Sequence, residues 1–240
     1  MNKTACLFPF FNEENRLNMD VFREVFSGNT DVDFWLLNDG STDGTLVLLN
    51  QLASEFNHVQ VVNSAQNLGK AEVVRRGMMK AVENDLGYDY VGFLDSDFAT
   101  PYYEFNRLKD IIEGSDYDMI WGARIKLKGW NIKRNVVRHW FSRIILTLIN
   151  VLFQLEIYDT QCGCKLYKRQ VAAELFSKPF VTKWLFDIEV FVRYKHWSSV
   201  ERLYEVPLVE WTEIKGSKIK MKDFLLVPFN ILKLWWNYKA

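Results

Sequence analysis

The chain has 240 residues, with 30 basic and 30 acidic side chains and a formal net charge of zero. That balance leaves no basic tail for nucleic acid, and the length suits one large domain or two small ones. Apolar residues make up 49% and aromatics 15%, with 18 Phe, 10 Tyr and 9 Trp, an excess that calls for an aromatic-lined site or a membrane-facing surface. Cys6, Cys162 and Cys164 are too few and too uneven for a disulfide framework, which points to a reducing compartment. The Cys162-Gly163-Cys164 pair lacks a second Cys/His cluster to complete a zinc site. Residues 5–11 are apolar but short, contain Pro9 and run into Asn12-Glu13-Glu14, so no signal peptide is expected. The longest uncharged apolar run, 144–155, is shorter than a membrane span and holds Asn150 and Gln154.

In chain order, residues 4–11 read as a first strand and 12–26 as a helix whose Glu13 and Glu14 suit a helix start. Residues 33–37 are a second strand, ending in the turn Asn38-Asp39-Gly40-Ser41-Thr42-Asp43 that can cap a helix over 44–56. A third strand at 59–62 leads to Asn67-Leu68-Gly69-Lys70, which opens a helix with Val73, Val74, Gly77, Met78, Ala81 and Val82 on one face. The apolar run 88–94 is a fourth strand, and 119–121 a fifth that ends at Gly122-Ala123-Arg124. Strands alternating with helices predict an α/β fold, a mostly parallel sheet flanked by helices. The polar residues at the strand ends then line one edge as a cleft.

The fourth strand runs into Asp95-Ser96-Asp97. Two carboxylates one residue apart at a strand end can hold a hard divalent cation, Mg2+ or Mn2+, that bridges phosphates; taken alone, the triplet more often marks turn residues that cap a strand. The second half differs in character. Residues 131–155 read as a long helix with Arg134 and Arg138 one turn apart. A polar turn at 159–165 follows, then a helical stretch from 186 with Asp187 and Glu189 in its first turn, a strand over 203–211 and a basic loop at 215–218. Residues 224–236, with Trp235, Trp236 and Lys239 at their end, fit either a helix lying on a bilayer or an ordinary packed C-terminal helix.

The stretches Pro9-Phe10-Phe11-Asn12-Glu13, Asn38-Asp39-Gly40-Ser41-Thr42-Asp43, Asn67-Leu68-Gly69-Lys70 and Asp95-Ser96-Asp97 together resemble the family 2 glycosyltransferases of GT-A fold. Arg134, Arg138, Asp159-Thr160-Gln161-Cys162-Gly163, Lys165-Leu166, Phe186-Asp187-Ile188-Glu189 and the segment 211–218 resemble the dolichyl-phosphate glucosyltransferase branch. The resemblance implies a nucleotide-sugar-binding half over 1–125 and an acceptor half over 126–240 within one compact unit. It implies that Pro9, Phe11, Glu13 and Asp39 hold the nucleoside, Asp39 as the contact to the base, and that Lys70 and Ser96 belong to the donor site. Asp95 and Asp97 would hold the metal and diphosphate, Arg124, Arg134 and Arg138 would meet phosphate groups, and Lys218 would close over the donor. Ala99 stands where the related mannosyl branch has Gln, so water or donor phosphate completes the metal shell. The N-terminal anchor of the eukaryotic glucosyl enzymes is not found in these residues.

The implied activity is inverting transfer of a hexose, glucose from UDP-glucose, to a polyprenyl or dolichyl phosphate by a peripheral protein on the cytoplasmic membrane face. A phosphate monoester, with a second pKa of about 6, is already an anion at neutral pH and needs arginines more than a base. The alternative is a glycan hydroxyl acceptor in polysaccharide synthesis. That reading needs a carboxylate base, for which Asp159, Asp187 and Glu189 are the candidates, Asp187 being equally suited to a helix cap.

Overall fold

The computed structural model describes residues 2–133, 136–214 and 221–239. Its centre is a sheet in which β1 (Thr4–Phe10), β2 (Val32–Asn38), β3 (Val59–Asn63) and β4 (Tyr90–Leu94) run parallel. With β5 (Met119–Ala123), β7 (Cys164–Lys168) and β8 (Leu203–Pro207), the order across the sheet is β3-β2-β1-β4-β7-β5-β8. A separate ribbon pairs β6 (Asn131–Lys133) with β9 (Glu210–Thr212). The near-continuous apolar run of β1 reflects burial on both faces. Ala5 and Leu7 join one core while Cys6, Phe8 and Phe10 join the other, as the two-residue period of a strand requires.

One face is covered by α1 (Met19–Gly28), α2 (Thr45–Glu55) and α4 (Tyr102–Glu113). The other carries α3 (Lys70–Val82), α5 (Val136–Phe153), α6 (Arg169–Phe176), α7 (Phe186–Trp197) and α8 (Met221–Tyr238). The first core is aromatic: Phe8 meets Phe22 edge-on at 5.4 Å, and Phe26 lies 4.6 Å from Phe34. In the second, Val227, Ile231 and Leu234 bury one side of α8, so the packed-helix reading of this segment holds for that side.

Three differences from the sequence reading matter for the cleft. First, α1 begins at Met19, capped by the Asn18 side chain, which accepts from the N–H groups of Asp20 and Val21. Asn12 has a positive φ of 49° and breaks the strand-to-helix path earlier. Glu14 still serves a helix start, but that of α2, where Oε2 accepts the Gly44 N–H at 2.9 Å. Second, α4 has its own apolar stripe, Tyr102, Phe105, Leu108 and Ile112. Third, β7 is antiparallel to both β4 and β5, with Leu94 opposite Cys164. Because β7 runs backwards, its N-terminal end lies at the edge where β1, β2, β3, β4 and β5 have their C-terminal ends. The turn read at 159–165 is thereby delivered to the cleft.

On the second face, α3 is tied to α6 through Arg75, which one carboxylate of α3 holds in place. Glu72 accepts from Arg75 and Arg76 at 2.7–2.9 Å, and Arg75 also donates to the carbonyls of Phe176 and Ser177. Bonding to Arg75, then to Arg76, lowers the Glu72 pKa to about 2. The folded pKa lies below the unfolded value of about 4.3, so this contribution to stability is complete above that value and is lost as pH falls toward 2. Thermal melts between pH 6 and 2 should show an acid-dependent loss in the wild type that is smaller in Glu72→Gln; parallel melts for both proteins would contradict the linkage.

Candidate active site

The sheet order reverses at β1, whose neighbours β2 and β4 belong to opposite wings, and open α/β sheets bind ligands outside the strand ends at such a point. Here Asp95, Ser96 and Asp97 emerge from β4. The Ser96 hydroxyl donates to the Pro9 carbonyl at 2.8 Å, closing β4 onto β1. Asp97 Oδ1 accepts the Ala99 N–H at 3.0 Å, so it does shape its turn, as the capping reading expected. Phe98 follows with a φ of 50° and seats its ring on Phe8 and Phe22 at 5.7 and 4.7 Å. A bulky residue in this left-handed region is strained, and its aromatic seat holds the turn. Loss of hydration, then the charge of Asp95, pushes the Asp97 carboxyl above its ordinary range.

On the wing that holds β2 and β3, Asp39 follows β2 and is buried. Its two carboxylate oxygens accept the N–H groups of Leu68 and Gly69 at 2.7 and 2.9 Å, and burial raises its pKa. Asp39 therefore fixes the turn that opens α3. Gly40, at φ +64°, packs so tightly on Gln66 and Asn67 that no Cβ fits there. Lys70, first in α3, pairs with Asp95 Oδ1 and places a cation beside the paired carboxylates. The Glu13 N–H donates to Thr45 Oγ1 at 2.8 Å and the Glu13 carboxylate pairs with Arg16. Pro9 is the last but one residue of β1, and Phe11 lies just beyond that strand.

On the other wing, Arg124 follows β5 and grips Asp159 with two parallel bonds, Nε to Oδ2 at 2.6 Å and Nη2 to Oδ1 at 2.8 Å. Trp211 of β9 lies under the guanidinium, 5.2 Å from its carbon to the ring centre. The backbone at Tyr158 and Asp159 is anchored by Glu205 of β8, which accepts both N–H groups at 2.9 and 2.5 Å. Asp187, first turn of α7, meets Lys165 Nζ at 2.6 Å; that lysine is wholly buried in β7 and also donates to the Cys162 carbonyl. Glu189 is buried too and accepts from the Val181 N–H, Arg193 and the Tyr238 hydroxyl. It anchors the 181–182 backbone against α7 and α8. A small pocket lies beside Asp159, its lining drawn from Arg124 and Arg143 and from Leu146, Ile149 and Ile188. Arg143 donates to the Tyr158 carbonyl at 3.0 Å and stacks on the Tyr158 ring. Arg138 lies in the first turn of α5; Arg134 and Lys218 lie outside the described residues.

A mostly parallel sheet with an Asp-Ser-Asp turn at its switch point has a match among known families. The model described as glycosyl transferase family 2 matches residues 6–176. The chain belongs to glycosyl transferase family 2. It is 27% identical over 250 residues to a dolichyl-phosphate beta-glucosyltransferase of Dictyostelium discoideum, covering 96% of this chain and 70% of that one. It is 29% identical to a Drosophila melanogaster protein of the same name (98% and 74% covered) and 26% identical to the Homo sapiens one (94% and 70%). Among solved structures, glucosyl-3-phosphoglycerate synthase from Mycobacterium tuberculosis in complex with Mn2+ and UDP-glucose superposes with a TM-score of 0.71 at 18% identity, covering all of this chain and 80% of that one. At that identity the likeness shows the shared GT-A fold.

In a family 2 transferase of this kind, the Asp95 and Asp97 pair suits a divalent ion. Among the described residues no group of three or more His, Cys, Asp or Glu side chains forms a metal cage. Two neighbouring carboxylates, one with its pKa raised by burial and then by the charge of the other, fit Mg2+ or Mn2+, which keep water and phosphate oxygens in their remaining positions. Lys165, Glu205, Trp211 and Arg143 carry no role in the sequence reading. Lys165 and Trp211 sit within family-like stretches, but their partners, Asp187 and Arg124, are 22 and 87 residues away, and only the fold brings them together.

Proposed function

We propose that this family 2 transferase moves glucose, with inversion, from UDP-glucose to a polyprenyl phosphate of the dolichyl class at the cytoplasmic face of a membrane. The observation that carries the reading is the pocket beside Asp159, whose lining combines Arg124 and Arg143 with Ile145, Leu146, Ile149 and Ile188. An acceptor with an anionic end and an apolar tail suits that combination better than a sugar hydroxyl does. The names of the relatives from Dictyostelium, Drosophila and human and the Mn2+ and UDP-glucose in the mycobacterial complex support the same substrates.

In this reading Asp39, Pro9, Phe11 and Glu13 form the nucleoside side, Asp39 having lone pairs left for a base N–H beside its two backbone bonds. Asp95 and Asp97 hold the divalent ion, which when bound offsets charge on the leaving diphosphate as a Lewis acid. Lys70 adds a cation at the donor phosphates, with Lys218 closing over them. Arg138 and Arg143 on α5, with Arg134, receive the acceptor phosphate. Arg124, held between Asp159 and Trp211, keeps one cation between the two anionic groups. A phosphate nucleophile needs no side-chain base, so Lys165 can hold Asp187 as a structural carboxylate.

The membrane part of the reading rests on α8. No helix among the described residues is long and apolar enough to cross a membrane. Yet Phe229, Leu232 and Trp236 share the side of α8 opposite its buried one and are 70%, 58% and 67% exposed. Lys239 lies over the Trp236 ring, and Leu148 and Val151 of α5 are exposed as well. Aromatics with a flanking lysine suit the bilayer interface. Burying a large apolar side chain contributes about 1.5–3 kcal/mol, so replacing all three by Ser should weaken binding to anionic phospholipid vesicles by about a hundredfold or more. Vesicle flotation checks it; unchanged flotation would remove α8 from the membrane contact.

A further inference from the structure

Gly163 lies in the segment that joins the acceptor pocket to β7, and its neighbours explain its missing side chain. Its φ is outside the positive region occupied by Gly40, Gly69, Gly87 and Gly129, so the turn itself does not demand glycine. The demand comes from Asp95. A Cβ at position 163 would fall within 3.0 Å of Cγ, Oδ1 and Oδ2 of Asp95, closer than real Cβ atoms come. The backbones are also joined, the Asp95 N–H donating to the Gly163 carbonyl at 2.9 Å. We propose that Gly163 is a positioning residue whose bare Cα seats the Asp95 carboxylate, so that the acceptor-side segment 159–163 sets the place of a donor-side metal ligand.

This inference rests on the reading of Asp95 and Asp97 as the metal pair and adds a residue that touches neither metal nor substrate. All three clashing atoms belong to the end of one side chain. An alanine at 163 is therefore accommodated most cheaply by rotating the Asp95 carboxylate, without rebuilding the backbone. The carboxylate then leaves its place beside Asp97 while the sheet persists. Substitutions that disturb the orientation of a metal ligand typically cost 10–100-fold in metal affinity.

The test titrates the full chain with Mn2+ alone and reads free Mn2+ by electron paramagnetic resonance. Gly163→Ala should bind about 10–100-fold more weakly than wild type. Gly28→Ala, at a site with nothing within 4 Å of the added Cβ, should bind as wild type does. Wild-type affinity in Gly163→Ala, with affinity lost in Asp97→Ala, would overturn the inference and leave the metal pair standing. Wild-type affinity in Asp97→Ala would overturn both. A thermal-melt cycle separates positioning from a general loss of structure. Gly163→Ala should lower Tm in the presence of the Asp95 side chain and lower it far less in an Asp95→Ala background. Equal losses in both backgrounds would make Gly163 a fold residue only and overturn the proposal.

Discussion

Asp97→Ala should abolish glucosyl transfer and leave the fold intact. The residue stands at the cleft mouth just after the buried strand β4, and its backbone turn is held independently by the Phe98 ring on Phe8 and Phe22. What the variant loses is a carboxylate disfavoured by burial and then by the charge of Asp95. Removing it should therefore leave the melting temperature unchanged or slightly raised. Charge stabilisation by a bound divalent ion is worth several kcal/mol in such reactions, so transfer should fall by about three orders of magnitude or more. Initial rates with and without added Mn2+, beside far-ultraviolet circular dichroism, check both halves. Full activity in the presence of a chelator would refute the metal role.

The second large effect is expected from α5. Arg138→Ala and Arg143→Ala should each depress use of polyprenyl phosphate while sparing slow hydrolysis of the nucleotide-sugar. Arg143 has five N–H donors, and its bond to the Tyr158 carbonyl leaves capacity for an anion at the pocket. Losing one charge-assisted contact costs about 1.5–3 kcal/mol, or roughly ten- to a hundredfold in kcat/KM for the acceptor. Steady-state kinetics with varied acceptor, against a hydrolysis control, separate the two functions. If either variant lost hydrolysis and transfer equally, that arginine would belong to the donor site.

The first five strands were legible because each is a short apolar run ending in polar residues, and the Asp pair was legible because it ends one of them. β7 was not. It carries Lys165 in its middle, and a charged residue argues against a buried strand until its partner is known. Asp187 supplies that partner from a helix 22 residues further along the chain, and the lysine is also bonded to the Cys162 carbonyl. α4 left a readable stripe of Tyr102, Phe105, Leu108 and Ile112, whereas its buried Glu104 disguises the inner face. Glu104 is accepted there because it receives the N–H groups of Val209 and Glu210. Glu14 suits a helix start on electrostatic grounds; chain order points to the next helix, whereas the fold uses it at the one after.

The site followed the same division. Residue types at strand ends were readable, since the parallel topology sends every such end to one edge. Pairings across the cleft were not. Arg124 reads as a phosphate contact from sequence, but its bidentate bond to Asp159 and its seat on Trp211 make it first a brace between two loops. Asp39 likewise reads as a base contact, and the structure adds its hold on the Leu68 and Gly69 backbone. Each is a long-range contact that local patterning does not encode.

The most direct measurement is product analysis with the purified chain, Mn2+, radiolabelled UDP-glucose and vesicles containing polyprenyl phosphate, beside a parallel reaction offering soluble glycans. Label should move into an organic-extractable glucosyl phospholipid, depend on the divalent ion and disappear in Asp97→Ala. Label recovered in a glycan, with the lipid phosphate untouched, would contradict the acceptor assignment and return attention to Asp159, Asp187 and Glu189 as bases.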